Sequence, residues 1–507
     1  MNQAAIARKT TSWLYAYTLK QTLLPLLAGL LIPFGFAPFH VPGLALLGIA
    51  ILYGLVQTTT FKTAFRIGFL FGLGYLGLGV SWVYVSIHEY GHLNEIVSAF
   101  VTLVFLFFLS LYPALVSGCY AVLSKRRSKI FSCLLFAAIW CLAEWIRANS
   151  IWGGFPWLLL GFGQMDTPLK YLLPLIGIYG VSFMACLAST LLATSFFPSK
   201  KSRYPWLIAI MIIMLSPLAL KHVAWSSVDN TPISVGVVQA NLSMRDKWNE
   251  SLFWQMLQNY KENLEALVGK NQLVILPESA IPLPESYISD YLDEIHTKAT
   301  SIGSAVLLGI PQVTADDSQY YNTMTSLGDA QGSYLKQHLV PFGEFIPGSF
   351  NWFFDWFSLP KANMKAGNKK QTLIQVLHHP IATLICYELA YPQLLRAQLP
   401  EAEWIVSISD DGWFGHSFAM YQHLQMAQAL SQQMARYQVV ANNDGLSSVI
   451  NNEGEIIASL PAFSSGRLEA SIYPATGASP WVNYGDTPVL LIIGFILLSA
   501  VWLNVRK

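Results

Sequence analysis

The stretch IATLICYE, from Ile381 to Glu388, decides the fold class of the polar half of the chain. Five apolar or β-branched residues lead directly to Cys386, the only cysteine outside the strongly apolar regions. Such a run is typical of a buried strand in an α/β protein, and these proteins build their sites at the carboxyl ends of strands. Cys386 is therefore a candidate nucleophile, although a lone cysteine is equally often a buried structural thiol.

Alternating strand and helix patterns surround that stretch and predict an α/β domain over residues 223–486. Helical periodicity predicts helices over residues 251–268 and 423–437. Short apolar runs predict strands at residues 233–240, 273–277, 305–310, 381–386, 404–409 and 447–450.

The rest of the chain has the composition of a membrane protein. Hydrophobic residues make up 53% of the sequence and charged residues 12%, and charge is sparse before residue 220 and after Asp486. We therefore expect a membrane domain of seven spans over residues 1–222, a catalytic domain over 223–486, and an eighth span with a cytoplasmic tail over 487–507. The predicted spans are residues 19–37, 41–58, 64–87, 95–124, 129–147, 171–197, 205–222 and 487–505.

Basic residues alternate from loop to loop, and this alternation predicts the orientation of the chain. Cytoplasmic loops collect Lys and Arg, whereas the loops between spans one and two and between spans three and four have neither. Both termini are therefore expected in the cytoplasm and the 223–486 domain outside it. The basic positions are Arg8, Lys9, Lys62, Arg66, Lys125, Arg126, Arg127, Lys129, Lys200, Lys201, Arg203, Arg506 and Lys507.

Two more ionisable residues end apolar runs of the polar domain, Glu278 and Lys336. A cysteine attacks as the thiolate, so Cys386 needs a base to take its proton, and Glu278 is the candidate. Negative charge then grows on the attacked carbonyl oxygen, where Lys336 and the backbone amide of Tyr387 fit the role of stabilising donors. Taken alone, Glu278 is better explained as a solvated loop carboxylate and Lys336 as a surface lysine.

Several short motifs resemble a known family when they are taken in chain order. LPES at 276–279, K-x-x-L-V-P-F-G-E at 336–344 and CYE at 386–388 resemble the nitrilase superfamily, which uses a glutamate, a lysine and a cysteine in this order. Further motifs extend the match to bacterial apolipoprotein N-acyltransferases and cover nearly the whole chain: SWVYVSI at 81–87, LYP at 111–113, EWIR at 144–147, GFPW at 154–157 and DGWFG at 411–415.

The resemblance implies a polytopic α-helical membrane bundle with a nitrilase-like αββα sandwich on the outer side of the bacterial inner membrane. It implies that Cys386 takes an acyl chain from a phospholipid, usually phosphatidylethanolamine, and forms a thioester. The chain then passes to the amine of a diacylglyceryl-cysteine apolipoprotein, the last step of lipoprotein maturation, with Glu278 as base and Lys336 in the triad. No cofactor and no metal is implied.

The resemblance also implies supporting residues. Glu344, Tyr387 and Glu388 match positions around the triad, and Trp248 matches a loop residue implicated in substrate entry. Glu344 and Glu388 are explained equally well as structural ion-pair partners, and Trp248 as a packing residue.

Residues 432–445 depart from the family pattern. An acid is expected before Arg436, where the chain has Gln432 and Gln433. An Arg-Ala-Thr run is expected before the last glycine of this stretch, where the chain has VANNDG. The departure bears on local support of the site and touches no triad member.

Other functions remain open at this point. A membrane-bound amidase or nitrilase-type hydrolase would use the same triad, although eight spans exceed what a tether needs. A transporter is disfavoured because the spans carry almost no charge, and a net charge of +1 without a basic face disfavours nucleic acid. HEYGH at 88–92 matches a zinc motif by chance, and Glu144 and Arg147 are expected to pair with each other.

Overall fold

The computed structural model describes residues 19–91, 93–125, 127–196, 203–247, 249–356 and 362–506. Each of the eight predicted spans contains an apolar helix. By length and composition, four helices of the described residues suffice to cross a membrane: Glu95–Leu123, Lys129–Asn149, Pro168–Phe196 and Thr487–Val505. Three apolar helices are shorter: Gln21–Gly35, Pro42–Val56 and Tyr204–Leu220.

The predicted span at residues 64–87 is two helices rather than one. Phe61–Gly79 and Trp82–Tyr90 meet at a bend of 57° and form a fifth candidate span only if they are taken together. The first helix ends because Val80 leaves the helical region, with φ −123° and ψ 25°. The second segment then runs beside the polar domain, where Ser86 Oγ donates to the Trp413 carbonyl at 2.7 Å. The count of eight spans remains a prediction.

Membrane helices are apolar on the sides that face away from the bundle. Phe100, Phe107, Leu491 and Phe495 are all exposed, which is the arrangement of side chains that face lipid. Three of these helices are capped at the N-terminus by a side-chain oxygen that accepts a backbone N–H, from Thr60, Asn94 and Ser128 respectively.

The polar domain contains two large sheets. One sheet has six strands in the order β14-β2-β3-β4-β5-β7, and the other has seven in the order β13-β12-β11-β10-β9-β8-β6. A small pair joins β1 to β15. The strands are β1 Ser227–Val228, β2 Ile233–Gln239, β3 Leu273–Ile275, β4 Ala305–Val313, β5 Tyr320–Gly328, β6 Ala330–Gln331, β7 Ser333–Leu335, β8 Ile374–Val376, β9 His379–Ile385, β10 Trp404–Ser409, β11 Gln438–Asn442, β12 Ser448–Ile450, β13 Ile456–Ser459, β14 Gly466–Ile472 and β15 Ala475–Thr476.

The two sheets pack face to face with helices outside them. The core between the sheets includes Val235, Ile275, Ile385 and Val406. On the six-stranded sheet's outer face lie the helices Phe253–Leu267 and Ser289–Ile302. Helix Ala419–Met434 covers the other sheet, so the helix–sheet–sheet–helix layering is present. The shorter helices are Met244–Lys247, Asn351–Trp356, Pro392–Arg396 and Pro480–Tyr484.

One hydrophobic core continues from the seven-stranded sheet into the membrane helices. It contains Leu384 and Ile405 of the sheet, Leu430 of the covering helix, and Cys141 and Tyr179 of the bundle. The polar domain is therefore seated on the bundle over a packed surface rather than joined to it by a tether.

Gly177 shows how closely the two parts approach. The helix Leu173–Phe196 is kinked at Gly177, where φ is +64°. A Cβ there would lie 2.3 Å from Nε1 of Trp481. Only glycine meets both the left-handed conformation and this contact.

Candidate active site

Cys386 lies directly after strand β9, at a sharp turn into the short 3₁₀ helix Cys386–Ala390. Its φ is +54°, a left-handed conformation that non-glycine residues rarely adopt and that clusters at functional sites. The turn places Cys386 at the carboxyl end of a strand that is parallel to its neighbour β10. This position is the one expected from the sequence.

Glu278, Lys336 and Glu344 meet in one buried cluster. Lys336 Nζ lies 2.7 Å from Glu344 Oε1 and 3.4 Å from Glu278 Oε1. Asn322 Nδ2 donates to the same two carboxylates, at 2.7 Å to Glu278 and 3.1 Å to Glu344. The backbone amide of Val340 donates to Glu344 Oε2 at 2.8 Å. All three ionisable residues are thus fixed by partners before any substrate arrives.

The charges of this cluster set the protonation of the site. Burial opposes the charged form of Lys336, but Glu344 and Glu278 more than offset it and raise the pKa of this ammonium. Burial, followed by the negative charge of Glu278, raises the pKa of the Cys386 thiol well above its ordinary value, while Lys336 acts in the opposite direction. At rest, Cys386 is therefore a thiol beside a carboxylate and an ammonium.

Glu388 clamps the segment that carries Lys336 to the turn that carries Cys386. Its Oε1 accepts from the amides of Gln337 and His338, at 2.7 and 3.0 Å, and from Tyr334 OH at 3.0 Å. Its Oε2 accepts from the Ile385 amide at 2.8 Å. Burial raises the pKa of Glu388 to about 7, although the backbone donors favour its ionised form. It is fully buried and holds two chain segments together.

Tyr387 and Tyr391 bind the membrane part of the chain. Their hydroxyls donate to the carbonyl of Gly154, at 3.2 and 3.0 Å. Gly154 lies in the loop after the helix Lys129–Asn149. Two side chains that follow the candidate nucleophile are therefore hydrogen-bonded to the loop of the membrane part.

Glu144 and Arg147 behave differently from the expectation that they pair with each other. Glu144 Oε1 accepts from Trp140 Nε1 at 3.0 Å and from the Leu160 amide at 2.9 Å. Arg147 Nη1 donates to the carbonyls of Phe155 and Trp157, at 3.0 and 2.7 Å. Both residues satisfy backbone groups of the 154–160 loop, because that irregular loop lacks helical partners of its own.

Several residues at the site were missed from the sequence. Lys247 forms a buried ion pair with Asp410 and donates to the Glu278 carbonyl at 2.9 Å. The amide of Asp410 in turn donates to Glu278 Oε2 at 3.0 Å. His423 and Asn322 were not predicted either. The sequence offered one indication, the position of Asp410 at the end of a predicted strand, because Asn322 and Lys247 reach the site only through tertiary folding.

The departure from the family pattern has a clear structural counterpart. Arg436 is buried, and its guanidinium donates to the carbonyls of Ala402 at 2.9 Å and Gly477 at 2.6 Å. Backbone oxygens thus satisfy the cation where an acid was expected, and burial lowers its pKa to about 10. Asn442 Oδ1 accepts from the amides of Asp411 and Gly445, both at 3.1 Å, so this stretch shapes the loop after β10.

Six of the basic positions lie outside the described part of the chain, namely Arg8, Lys9, Arg126, Lys200, Lys201 and Lys507. Two residues singled out for the site or for the zinc motif also lie outside it. Trp248 is one of them, and its role in substrate entry stays a prediction. His92 is the other. His88, its partner in the zinc motif, has Nδ1 3.0 Å from the Leu93 carbonyl, and the described residues contain no group of three or more possible metal ligands.

Comparisons with known proteins cover both parts of the chain. A family profile described as apolipoprotein N-acyltransferase N-terminal domain matches residues 28–191, and one described as carbon-nitrogen hydrolase matches residues 234–479. Apolipoprotein N-acyltransferase of Methylococcus capsulatus is 33% identical over 93% of this chain and 94% of its own length. The Coxiella burnetii protein of the same name is 34% identical over 94% of this chain and 99% of its own.

Similarity was also found to solved structures. A CN-hydrolase superfamily protein from Xanthomonas campestris has 17% identity and a TM-score of 0.38, and the match covers 48% of this chain and 91% of that one. An amidase from Nesterenkonia sp. has 15% identity and a TM-score of 0.36, over 52% of this chain and 97% of that one. The full-length matches are decisive for the family. The chain belongs to the bacterial apolipoprotein N-acyltransferases, within the nitrilase superfamily.

Proposed function

We propose that this protein transfers an acyl chain from a phospholipid, through a thioester on Cys386, to the amino group of a diacylglyceryl-cysteine apolipoprotein. The observation that carries the proposal is the seating of the nucleophile turn on the membrane loop, where Gly154 accepts from Tyr387 and Tyr391. A nucleophile fixed to the bundle in this way suits a substrate that arrives from lipid. The names of the full-length relatives support the same activity.

In the first half-reaction, Glu278 takes the Cys386 proton as sulfur attacks the ester carbonyl. The negative charge on the carbonyl oxygen is stabilised by Lys336 Nζ and the Tyr387 amide. When the tetrahedral intermediate collapses, the C–O bond breaks and Glu278 returns the proton to the departing lysophospholipid alkoxide. The acyl chain is left on sulfur as a thioester.

In the second half-reaction, the lipoprotein amine attacks the thioester carbonyl. Glu278 takes a proton from the amine, the C–S bond breaks, and the proton passes to the Cys386 sulfur. The products are the amide and the resting enzyme, so the two substrates react in turn at one site. Phosphatidylethanolamine is the donor that we propose.

The basic loops of the chain support a proposal for its orientation. We propose that the protein lies in the inner membrane with the catalytic domain on the periplasmic side and both termini in the cytoplasm. Lipoprotein amines and outer-leaflet phospholipids then reach the same site. The boundaries at residues 222 and 486 belong to this proposal.

A hydrolase would need the thioester to be open to water. The surroundings of Cys386 favour a dry site, because Cys386 packs against the shared core, whose buried residues include Phe414, Tyr387 and Trp157. The amidase or nitrilase-type alternative is therefore less well supported.

An acyl-transfer assay on purified protein tests the proposal. With phosphatidylethanolamine and a diacylglyceryl-cysteine peptide, wild-type protein should form the triacylated peptide and Cys386→Ala should form none. Cys119→Ala is the matched control, because Cys119 is another partly buried free thiol and lies in a membrane helix. Release of ammonia or free fatty acid without peptide acylation would contradict the proposal.

A further inference from the structure

His423 is a buried histidine with a hydrogen-bond acceptor at each ring nitrogen. Its Nδ1 lies 3.0 Å from Asp411 Oδ1, and its Nε2 lies 3.2 Å from the carbonyl oxygen of Cys386. Asp411 Oδ1 also accepts from Ser409 Oγ at 2.7 Å. His423 and Asp411 are each at most 3% exposed.

This geometry determines the protonation of the ring. A neutral imidazole donates from one nitrogen only, whereas a carbonyl oxygen and a carboxylate both require a donor. Both contacts are satisfied together when both nitrogens carry a proton. Burial alone would lower the pKa of His423, but Asp411 and the Cys386 carbonyl more than offset it and raise the pKa.

The surroundings fit a buried cation. The ring of Trp157 stacks on His423 at 6.0 Å between centroids, and Phe414 approaches at 5.9 Å with its ring nearly perpendicular. An aromatic face within about 6 Å stabilises a cation. Asp411 and, farther away, Glu278 are the charged groups whose fields act on the ring.

The carbonyl that His423 binds belongs to the peptide bond between Cys386 and Tyr387. The N–H of that same peptide is the Tyr387 amide, the donor assigned above to the oxyanion. A hydrogen bond to the carbonyl of an amide draws electron density from its nitrogen, and bonds linked in this way strengthen each other. A cation at the carbonyl therefore makes the N–H a stronger donor and fixes the plane of the peptide.

We propose that His423, held as an imidazolium by Asp411, positions and polarises the Cys386–Tyr387 peptide so that its N–H stabilises the oxyanion. The inference rests on the proposed function, because it assumes an acyl-transfer step at Cys386. His423 touches no reacting atom and is a positioning residue.

The test compares two reactions of the same sulfur. Acylation of Cys386 by phospholipid passes through an oxyanion, whereas alkylation by iodoacetamide is a displacement at a saturated carbon and forms none. We expect His423→Leu to slow acyl loading by about tenfold or more, while the alkylation rate stays within about threefold of wild type. Asp411→Asn removes the charge that keeps the second proton on His423. It should slow acyl loading less than His423→Leu does, and its alkylation rate should again be near that of wild type.

His379→Gln is the matched control, because His379 pairs with Glu403 at 2.7 Å at the opposite end of strand β9. It should leave both rates unchanged. Peptide mass spectrometry of Cys386 reads out both reactions.

Three outcomes separate the hypotheses. If His423→Leu loads the acyl chain at the wild-type rate, the inference is overturned and the proposed function is unaffected. Equal loss of loading and alkylation would also overturn it, because a general distortion of the turn would then explain the effect. A wild-type protein that never loads would overturn the proposed function and this inference with it.

Discussion

At the residue scale, the chemistry depends on a thiol that stays protonated until substrate binds. Burial and then the Glu278 charge raise the pKa of Cys386. In the proposed mechanism, the same carboxylate therefore both suppresses the free thiolate and accepts its proton during attack. This dual role makes the two reactions of Cys386 respond in opposite ways to one substitution.

We expect Glu278→Gln to lose acyl loading by about a hundredfold or more, because no general base remains. Iodoacetamide should nevertheless alkylate Cys386 faster than in wild type near pH 8, since removal of the negative charge lowers the thiol pKa. Alkylation rates measured by mass spectrometry check this. Slower alkylation in Glu278→Gln would contradict the electrostatic account.

The sequence was sufficient to identify Glu278, Lys336 and Cys386 as candidates, because each ends an apolar run. The left-handed turn at Cys386 and the His423–Asp411 pair were not predictable. His423 was placed at the start of a helix, whereas the helix begins at Ala419. The pairing arises only when that helix packs over the loop that follows β10.

At the scale of elements, the strand patterns predicted six of the fifteen described strands, namely β2, β3, β4, β9, β10 and β12. The predicted strand 404–409 agrees with β10 at both ends, and residues 251–268 agree with the helix Phe253–Leu267. The other nine strands were missed. For two of them, β5 and β11, the reason is that Tyr320–Gly328 and Gln438–Asn442 mix polar with apolar residues. These strands are stabilised by pairing with neighbouring strands, which the hydrophobic pattern of the sequence does not indicate.

Glu388 joins two elements, and its substitution tests this function. In Glu388→Gln, the new side-chain NH₂ group would face at least one of the four groups that donate to Glu388. We therefore expect the free energy of unfolding to decrease by about 1–3 kcal/mol. Acyl loading should also fall. Glu403→Gln is the control, since that carboxylate is partly exposed and pairs with His379 at the end of β9 opposite Cys386. Thermal unfolding in detergent should show a lower midpoint for the first variant only.

His338 lies in the segment that carries Lys336 and should confer acid sensitivity. It stacks on Tyr391 at 3.7 Å between ring centroids. Burial and then the charge of Lys336 lower its pKa from 6.5 to about 4. The folded state therefore favours the neutral ring, and its stabilisation is complete above pH 6.5 and is lost as the pH falls toward 4.

Because the pKa of His338 is lowered from 6.5 to about 4, acidification decreases the free energy of unfolding by at most about 3 kcal/mol. We expect the melting temperature of wild type to fall more steeply between pH 6.5 and 4 than that of His338→Gln. Parallel profiles for the two proteins would contradict this prediction.

At the scale of the whole molecule, the polar domain and the bundle share one core. The sequence predicted both parts but not their contact, because nothing in hydropathy indicates which sheet face meets the membrane helices. It also predicted one span at 64–87, where the chain bends by 57° and its second segment contacts the loop after β10.

The orientation of the chain can be tested with reporter fusions. A reporter that is active only outside the cytoplasm should be active after Ser226, which precedes β1, and silent after Ser202, which lies outside the described residues. The reason is the excess of Lys and Arg in alternate loops. The reverse pattern would place the catalytic site in the cytoplasm and contradict the proposed compartment.

The most direct test of the central claim is mass spectrometry of the Cys386 peptide after incubation of the protein with phospholipid alone. The account predicts one long acyl chain on Cys386 that is labile to hydroxylamine. Addition of a diacylglyceryl-cysteine peptide should remove the adduct and yield an equimolar amount of triacylated peptide. Free fatty acid released without a persistent adduct, and without dependence on the peptide, would contradict a transferase and indicate a hydrolase.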